Sequence, residues 1–273
     1  MQAWKQFLSL SKILMIKLLI SFILSISLMS FSFGQSWQAA YYVSENDSLP
    51  FRFVQSEPQH ADEKLPLLIF LHGSGERGND NMLQLIHGGD LFLDAIQNKE
   101  IEGMVVFPQC PKEDYWARVQ RDVYDNDSLT FTFFPDSTAT PAMSLLLGLL
   151  DSLSQLPNVD KNRIYIGGLS MGGMGTFELL SRRPELFAAA FPICGGGNPD
   201  AVENFNHETA IWVFHGAKDR VVKPTYSQQM VNKMREHNME VRHSIYPETG
   251  HNAWDNAFAE PELLRWIFMQ QKP

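Results

Sequence analysis

Arg163-Ile164-Tyr165-Ile166-Gly167-Gly168-Leu169-Ser170-Met171-Gly172-Gly173-Met174-Gly175-Thr176-Phe177-Glu178-Leu179-Leu180 decides the fold. Arg163 to Gly167 is an apolar run that reads as a buried strand. Gly173 to Arg182 carries helical spacing. Between them Gly168-Leu169-Ser170-Met171-Gly172 places a serine at a sharp strand-to-helix turn. Such a turn is tight and strained, which favours glycine on both sides of the serine. The helix that follows points its first amides back toward the serine, a setting that suits a developing negative charge. The five-residue pattern alone is weak, because Gly and Ser are common. The strand before it and the helix after it give it weight.

Working outward, short apolar runs alternate with helical patterns. Leu65–Leu71, Met104–Phe107, Ala188–Phe191 and Ile211–Phe214 are apolar almost throughout, as strands buried on both faces are. Val241–Tyr246 alternates more and reads as a strand nearer an edge. Helices are expected over Met82–Asn98, Pro141–Gln155, Tyr226–His237 and Pro261–Gln270. Pro141 suits a first helical turn, with Thr138 or Thr140 as its cap. Trp37–Val43 and Leu49–Val54 read as an antiparallel edge hairpin. The alternation predicts an α/β class chain: a mostly parallel, doubly wound sheet with helices on both faces. Ligands in such sheets sit beyond the carboxyl ends of the strands.

The chain has 273 residues, 44% of them hydrophobic, enough for one large domain with a sizeable core. No repeat or linker divides it. Its formal charge is −9 and it has no basic run, which argues against nucleic acid as a partner. Lys5, Lys12 and Lys17 precede the 14-residue apolar run Leu18–Phe31, and Ser32-Phe33-Gly34 offers small residues at a cleavage site before Gln35. Residues 1–34 therefore read as a secretory signal peptide. An uncleaved anchor is the competing reading. A membrane span needs about 20 apolar residues, so this run is short. Removal of three lysines and no acid takes the charge from −9 to −12. Export to a secreted or periplasmic location is the expectation, with residues 35–273 as the working domain and no stable membrane association after cleavage. Cys110 and Cys194 each end a central strand, which favours buried thiols over a disulfide. No cysteine lies near the cleavage site.

An attacking serine needs a base, and the base needs an acid to hold its tautomer. Asp219 stands in the loop just past Ile211–Phe214, and His251 follows Gly250 just past Val241–Tyr246. The chain order is Ser170, Asp219, His251, with one strand–helix unit between neighbours and no room for a large cap domain. Asp255 and Glu248 are weaker candidates for the acid. Among the eight histidines, His60, His207 and His237 lie in polar surroundings, His87 in a helical pattern and His243 in a strand. His72 and His215 each end a strand before glycine and read as residues that bond backbone and shape loops.

Two aimed N–H groups are needed to hold an oxyanion. Met171 supplies one. The glycine-rich loop Leu71-His72-Gly73-Ser74-Gly75-Glu76-Arg77-Gly78 supplies the other, from Ser74, or failing that from Gly73. Glu76 and Arg77 are expected to pair and brace that loop. A phosphate-binding reading lacks the G-K-[ST] element. No spacing of His, Cys or acids suggests a metal, and the chemistry calls for no cofactor. Gln109, Trp116 and Trp254 are the expected pocket wall. Residues 112–139 are irregular and long, and read as a flap over the site.

Leu71–Gly78, Phe107-Pro108-Gln109-Cys110-Pro111, Gly168–Gly173, Pro192-Ile193-Cys194-Gly195-Gly196-Gly197, Trp212–Gly216 and Gly250-His251 with Trp254 together resemble the "predicted peptidase" group of α/β-hydrolases. That group is related to the phospholipase/carboxylesterase and feruloyl-esterase-like families. The resemblance runs over nearly the whole of residues 35–273. It implies the α/β-hydrolase fold and a Ser170–Asp219–His251 triad. The expected activity is that of a serine hydrolase, foremost a carboxylic ester hydrolase working through an acyl-enzyme. Its substrate would be a small-molecule or carbohydrate-linked ester. A serine peptidase of prolyl-oligopeptidase type and a non-catalytic carbohydrate-binding relic are the alternatives.

Overall fold

The computed structural model describes residues 36–45, 47–60, 62–123, 129–134 and 138–273. The signal-peptide expectation, residues 1–34, lies outside the described residues. The strands are β1 (Gln38–Val43), β2 (Ser48–Gln55), β3 (Leu65–Leu71), β4 (Met104–Pro108), β5 (Val119–Val123), β6 (Leu129–Phe133), β7 (Val159–Leu169), β8 (Ala189–Ile193), β9 (Ala210–Gly216) and β10 (Val241–Tyr246). The α-helices are α1 (Gly89–Gln97), α2 (Pro141–Ser154), α3 (Met171–Arg182), α4 (Pro224–Glu236), α5 (Trp254–Phe258) and α6 (Leu263–Phe268).

Eight strands form one sheet in the order β1-β2-β4-β3-β7-β8-β9-β10. β1 pairs antiparallel with β2, and β2 antiparallel with β4. From β4 to β10 every pairing is parallel. The apolar runs are explained by two cores on opposite faces. Leu67, Ile69 and Leu71 of β3 point to one face with Met143, Leu146 and Leu150 of α2 and Phe177 of α3. Leu68 and Phe70 of the same strand point to the other, with Phe92 and Ile96 of α1 and Ile267 of α6. Side chains alternate along a strand, so a strand covered on both faces must be apolar at every position. This is the α/β-hydrolase fold, and among the described residues no large cap domain stands over it.

Thr140 caps α2, its side chain accepting from the Met143 amide with Pro141 in the first turn. The single helix expected over Met82–Asn98 is divided. A 3-10 turn at Leu83–Leu85 and α1 are separated by Gly88, which adopts φ 87°. Only glycine enters that left-handed region without strain, and it ends the first segment. The last helix is shorter than Pro261–Gln270, and α5 was not evident from periodicity because five residues carry too little of it. Residues 112–139 contain the antiparallel hairpin β5–β6, which packs Phe131 against Ala117, Met174 and Val222. Residues 124–128 and 135–137 of that segment lie outside the described residues.

Candidate active site

The turn after β7 carries its strain on the serine itself. Ser170 has φ 54° and ψ −115°, a backbone state that non-glycine residues rarely hold. The flanking glycines have another reason to be there. A Cβ at Gly172 would overlap the Leu71 carbonyl oxygen, and one at Gly168 would lie 2.8 Å from the same oxygen. The Gly172 carbonyl, 2.5 Å from the Gly168 point, crowds it more closely still, so packing against β3 and the start of α3, rather than backbone angle, excludes side chains there. Ser170 thus stands at the carboxyl end of the central strand, as the first cap of α3.

Two more strand ends converge on it. Asp219 lies just past β9 and is buried. His251 lies past β10, on a loop locked to the β9 loop by the Lys218 amide donating to the Thr249 carbonyl at 2.9 Å. A Cβ at Gly216 would overlap the Gly250 carbonyl, so this close packing of the two loops needs glycine. The result is a continuous hydrogen-bonded line. Ser170 Oγ is 2.9 Å from His251 Nε2, and His251 Nδ1 is 2.7 Å from Asp219 Oδ2. A carboxylate can only accept, so Nδ1 carries the proton and Nε2 is left as an acceptor for the serine hydroxyl. Asp219 Oδ1 accepts the amides of Val221 at 2.8 Å and Val222 at 2.9 Å. Burial disfavours its charge. Hydrogen bonds from His215 and His251, the charge of His251 and the Val221 amide outweigh burial and hold the carboxyl below the usual carboxylate range. Asp255 and Glu248 stay outside this line. Asp255 accepts from Asn252, and Glu248 pairs with Lys218 on the surface.

The loop after β3 is fixed by His72. Its Nδ1 is 2.6 Å from the Gly73 carbonyl, and its Nε2 accepts the Cys110 amide at 2.9 Å. The peptide is trans and planar, so a carbonyl held by His72 turns the next amide, that of Ser74, the opposite way. Gly73 lies against the serine, since a Cβ there would be 3.6 Å from Ser170 Cβ. Met171 is the first residue of α3, whose leading amides have no partner within the helix. Among the described residues neither the Ser74 nor the Met171 amide donates to a backbone acceptor outside the helices and strands.

Three expectations about this loop are corrected. Glu76 does not pair with Arg77: Arg77 Nε donates to the Ser74 carbonyl at 2.9 Å and its Nη1 to the Asp114 carbonyl at 3.1 Å. Gln109 does not line a pocket. It is fully buried, with Oε1 accepting from the Asn81 amide and Nε2 donating to Glu76 O and Asp80 Oδ1. Trp116 does not line one either. It is fully buried against His72 and Gly175. Trp254 is half-buried at the start of α5, with its ring 5.4 Å from that of His251.

Sequence reasoning passed over two neighbours of this centre. His215 ends β9, and its Nε2 lies 2.8 Å from the Val222 carbonyl and 3.2 Å from Asp219 Oδ2. His87, from the segment between the 3-10 turn and α1, holds its ring 5.0 Å from that of Trp254, tilted by 46°. Its sequence neighbours gave no signal, because its place comes from the Gly88 break. Both cysteines are free and buried. Cys194 comes within 4.8 Å of ligating atoms of His215 and Asp219. Burial pushes its thiol up to about 12, so it stays protonated. Asp219 and His215 already have partners in His251 and Val222.

A family model described as Phospholipase/Carboxylesterase matches residues 53–261. The chain belongs to the phospholipase/carboxylesterase family. A solved thermostable esterase is 32% identical, with a TM-score of 0.75 over 86% of this chain and 63% of that one. The bifunctional acetylxylan esterase/xylanase of Neocallimastix patriciarum is 32% identical over 74 residues, 27% of this chain and 11% of that protein. Lysophospholipase-like protein 1 of Mus musculus is 24% identical over 212 residues, 73% of this chain and 84% of that protein. The family member described here thus spans only part of the first two relatives.

Proposed function

We propose that this chain is a secreted serine esterase that cleaves carboxylic esters through an acyl-enzyme. The hydrogen-bonded line Ser170–His251–Asp219, 2.9 Å and 2.7 Å in its two links, carries the reading. Ser170 Oγ attacks the ester carbonyl while His251 Nε2 takes its proton. Asp219 holds the imidazolium so formed. The Met171 and Ser74 amides receive the oxyanion. As the tetrahedral intermediate collapses, His251 returns the proton to the leaving alcohol, and the acyl group stays on Ser170. Water, deprotonated by His251, then releases the acid. No cofactor or metal enters these steps.

The substrate is a small or carbohydrate-linked ester, in keeping with the acetylxylan esterase among the relatives. The leader-like segment 1–34 supports export and working in the periplasm or outside the cell. Among the described residues no helix is long and apolar enough to cross a membrane. The β5–β6 hairpin, packed on Met174 just past Ser170, acts as the flap.

Purified protein assayed on acetyl, feruloyl and longer acyl esters and on peptidyl amides tests the reading, with a fluorophosphonate probe alongside. Ester turnover with labelling at Ser170 is the expected result. Faster cleavage of amides would assign a peptidase, and failure to label Ser170 would assign a non-catalytic relic. N-terminal sequencing of exported protein should begin at Gln35.

A further inference from the structure

Glu76 is largely covered but its carboxylate oxygens still reach solvent, the side chain being 11% exposed. The residue is 9% exposed, yet among the described residues no donor hydrogen-bonds to its side chain. Its donors are therefore water, which a polar group entering the site can displace. Its position says where. A point one Cβ above Gly73 lies 3.0 Å from Glu76 Oε2 and 3.6 Å from Ser170 Cβ. The carboxylate and the reacting serine both lie against Gly73, where Leu169 Cδ1 at 2.8 Å leaves no room for a side chain.

His87 stands beside it, with Nε2 3.7 Å from Oε1. That gap is too long for a direct hydrogen bond. It is wide enough for one oxygen to sit at hydrogen-bond distance, about 2.8 Å, from both. A hydroxyl meets the chemistry of both sides: it donates to the carboxylate and accepts from the imidazole N–H. An ammonium, which has donors only, suits the other His87 tautomer, and the aminoethyl ester below tests it. The half-buried Trp254 lies 5.0 Å from His87 on one side and 5.4 Å from His251 on the other. It gives an apolar face of the kind on which carbon skeletons bearing hydroxyls rest. His251 hands its proton to the leaving oxygen, so this wall is on the leaving-group side.

We infer that Glu76, His87 and Trp254 form a subsite for the alcohol half of the ester. The substrates of this chain are then monoesters of polyols, glycerol or sugar units, with a free hydroxyl near the ester oxygen. The inference rests on the esterase reading above. Glu76 and His87 are specificity-determining residues here, and the step of bond cleavage does not pass through them.

The test compares kcat/KM for glycerol 1-acetate, propyl acetate and 2-aminoethyl acetate, in the wild-type protein and in Glu76→Gln and His87→Leu. One charge-assisted hydrogen bond corresponds to roughly a tenfold preference or more. The wild-type protein should favour glycerol 1-acetate over propyl acetate by at least about tenfold, and the ratio should fall toward one in both variants. If Glu76→Gln does not fold, His87→Leu and the wild-type ratio carry the test. A wild-type ratio near one, a ratio unchanged in the folded variants, or a preference for the aminoethyl ester overturns the inference and leaves the esterase reading standing. No turnover of any of the three esters overturns both.

Discussion

His215 and His251 share one oxygen of Asp219. Oδ2 lies 3.2 Å from His215 Nε2 and 2.7 Å from His251 Nδ1. The Val222 carbonyl, 2.8 Å from the same His215 nitrogen, can only accept, so that nitrogen carries a proton. Asp219 therefore receives a second imidazole donor from a fully buried side chain. That donor draws charge from the oxygen on which His251 depends.

Replacing His215 should move the pH profile as well as the rate. In His215→Leu, Oδ2 keeps only His251, and the carboxylate holds the imidazolium more firmly. The acid limb of kcat/KM moves to higher pH, and the plateau falls about tenfold because the loop that places Asp219 loses its tie at the Val222 carbonyl. His215→Gln, which restores an N–H, should return the limb part of the way. Superimposable profiles for all three proteins would reduce His215 to a space filler.

Ser170 carries backbone strain at the turn between β7 and α3. Ser170→Ala removes the nucleophile and should abolish ester turnover with little change in thermal midpoint. Ser170→Gly should be equally inactive but more stable than Ser170→Ala by about 1 kcal/mol, because φ 54° suits glycine. Differential scanning calorimetry would read this as a rise of about 2–4 °C. A glycine variant no more stable than the alanine one would show that the turn is not strained.

His72 links loop geometry to pH. Burial lowers its pKa from 6.5 to about 4, against the raising effect of the Gly73 carbonyl. Between those values the unfolded chain binds a proton that the folded chain refuses. Stability is thus complete above 6.5 and declines as pH falls toward 4, by roughly 3 kcal/mol. His243, also lowered to about 4 by burial, adds a loss of the same sign. His72→Gln should flatten part of the decline in thermal midpoint between pH 6.5 and 4. An unchanged slope would place the linkage elsewhere.

The glycines around the site are not equivalent. Gly172→Ala drives a methyl into the Leu71 carbonyl and should cost upwards of about 3 kcal/mol, read as loss of soluble protein. Gly75→Ala meets nothing within 4 Å and should stay within about 0.5 kcal/mol of the parent in urea unfolding.

Local sequence determined the elements that bury themselves. Ile164-Tyr165-Ile166 and Leu67–Leu71 are apolar at every position because both faces of the sheet are covered, so the strands and their mostly parallel pairing were legible, while their order in the sheet was not. The serine turn and the strand-end loops of Asp219 and His251 were legible for the same reason, since strand ends mark where a doubly wound sheet places its site. Tertiary structure alone decided which side chains meet. Glu76 has Arg77 as its chain neighbour but faces His87, because Arg77 is drawn to the Ser74 and Asp114 carbonyls. Gln109 follows a strand into the site region, yet three loop partners hold it inside. His215 looked like a loop-shaping residue and shapes one through Val222, while its contact with Asp219 depends on how the loop after β9 folds back. Periodicity and strand order are properties of the chain taken a few residues at a time. A hydrogen-bond partner is a property of distance in space, and distance is fixed only when the loops pack.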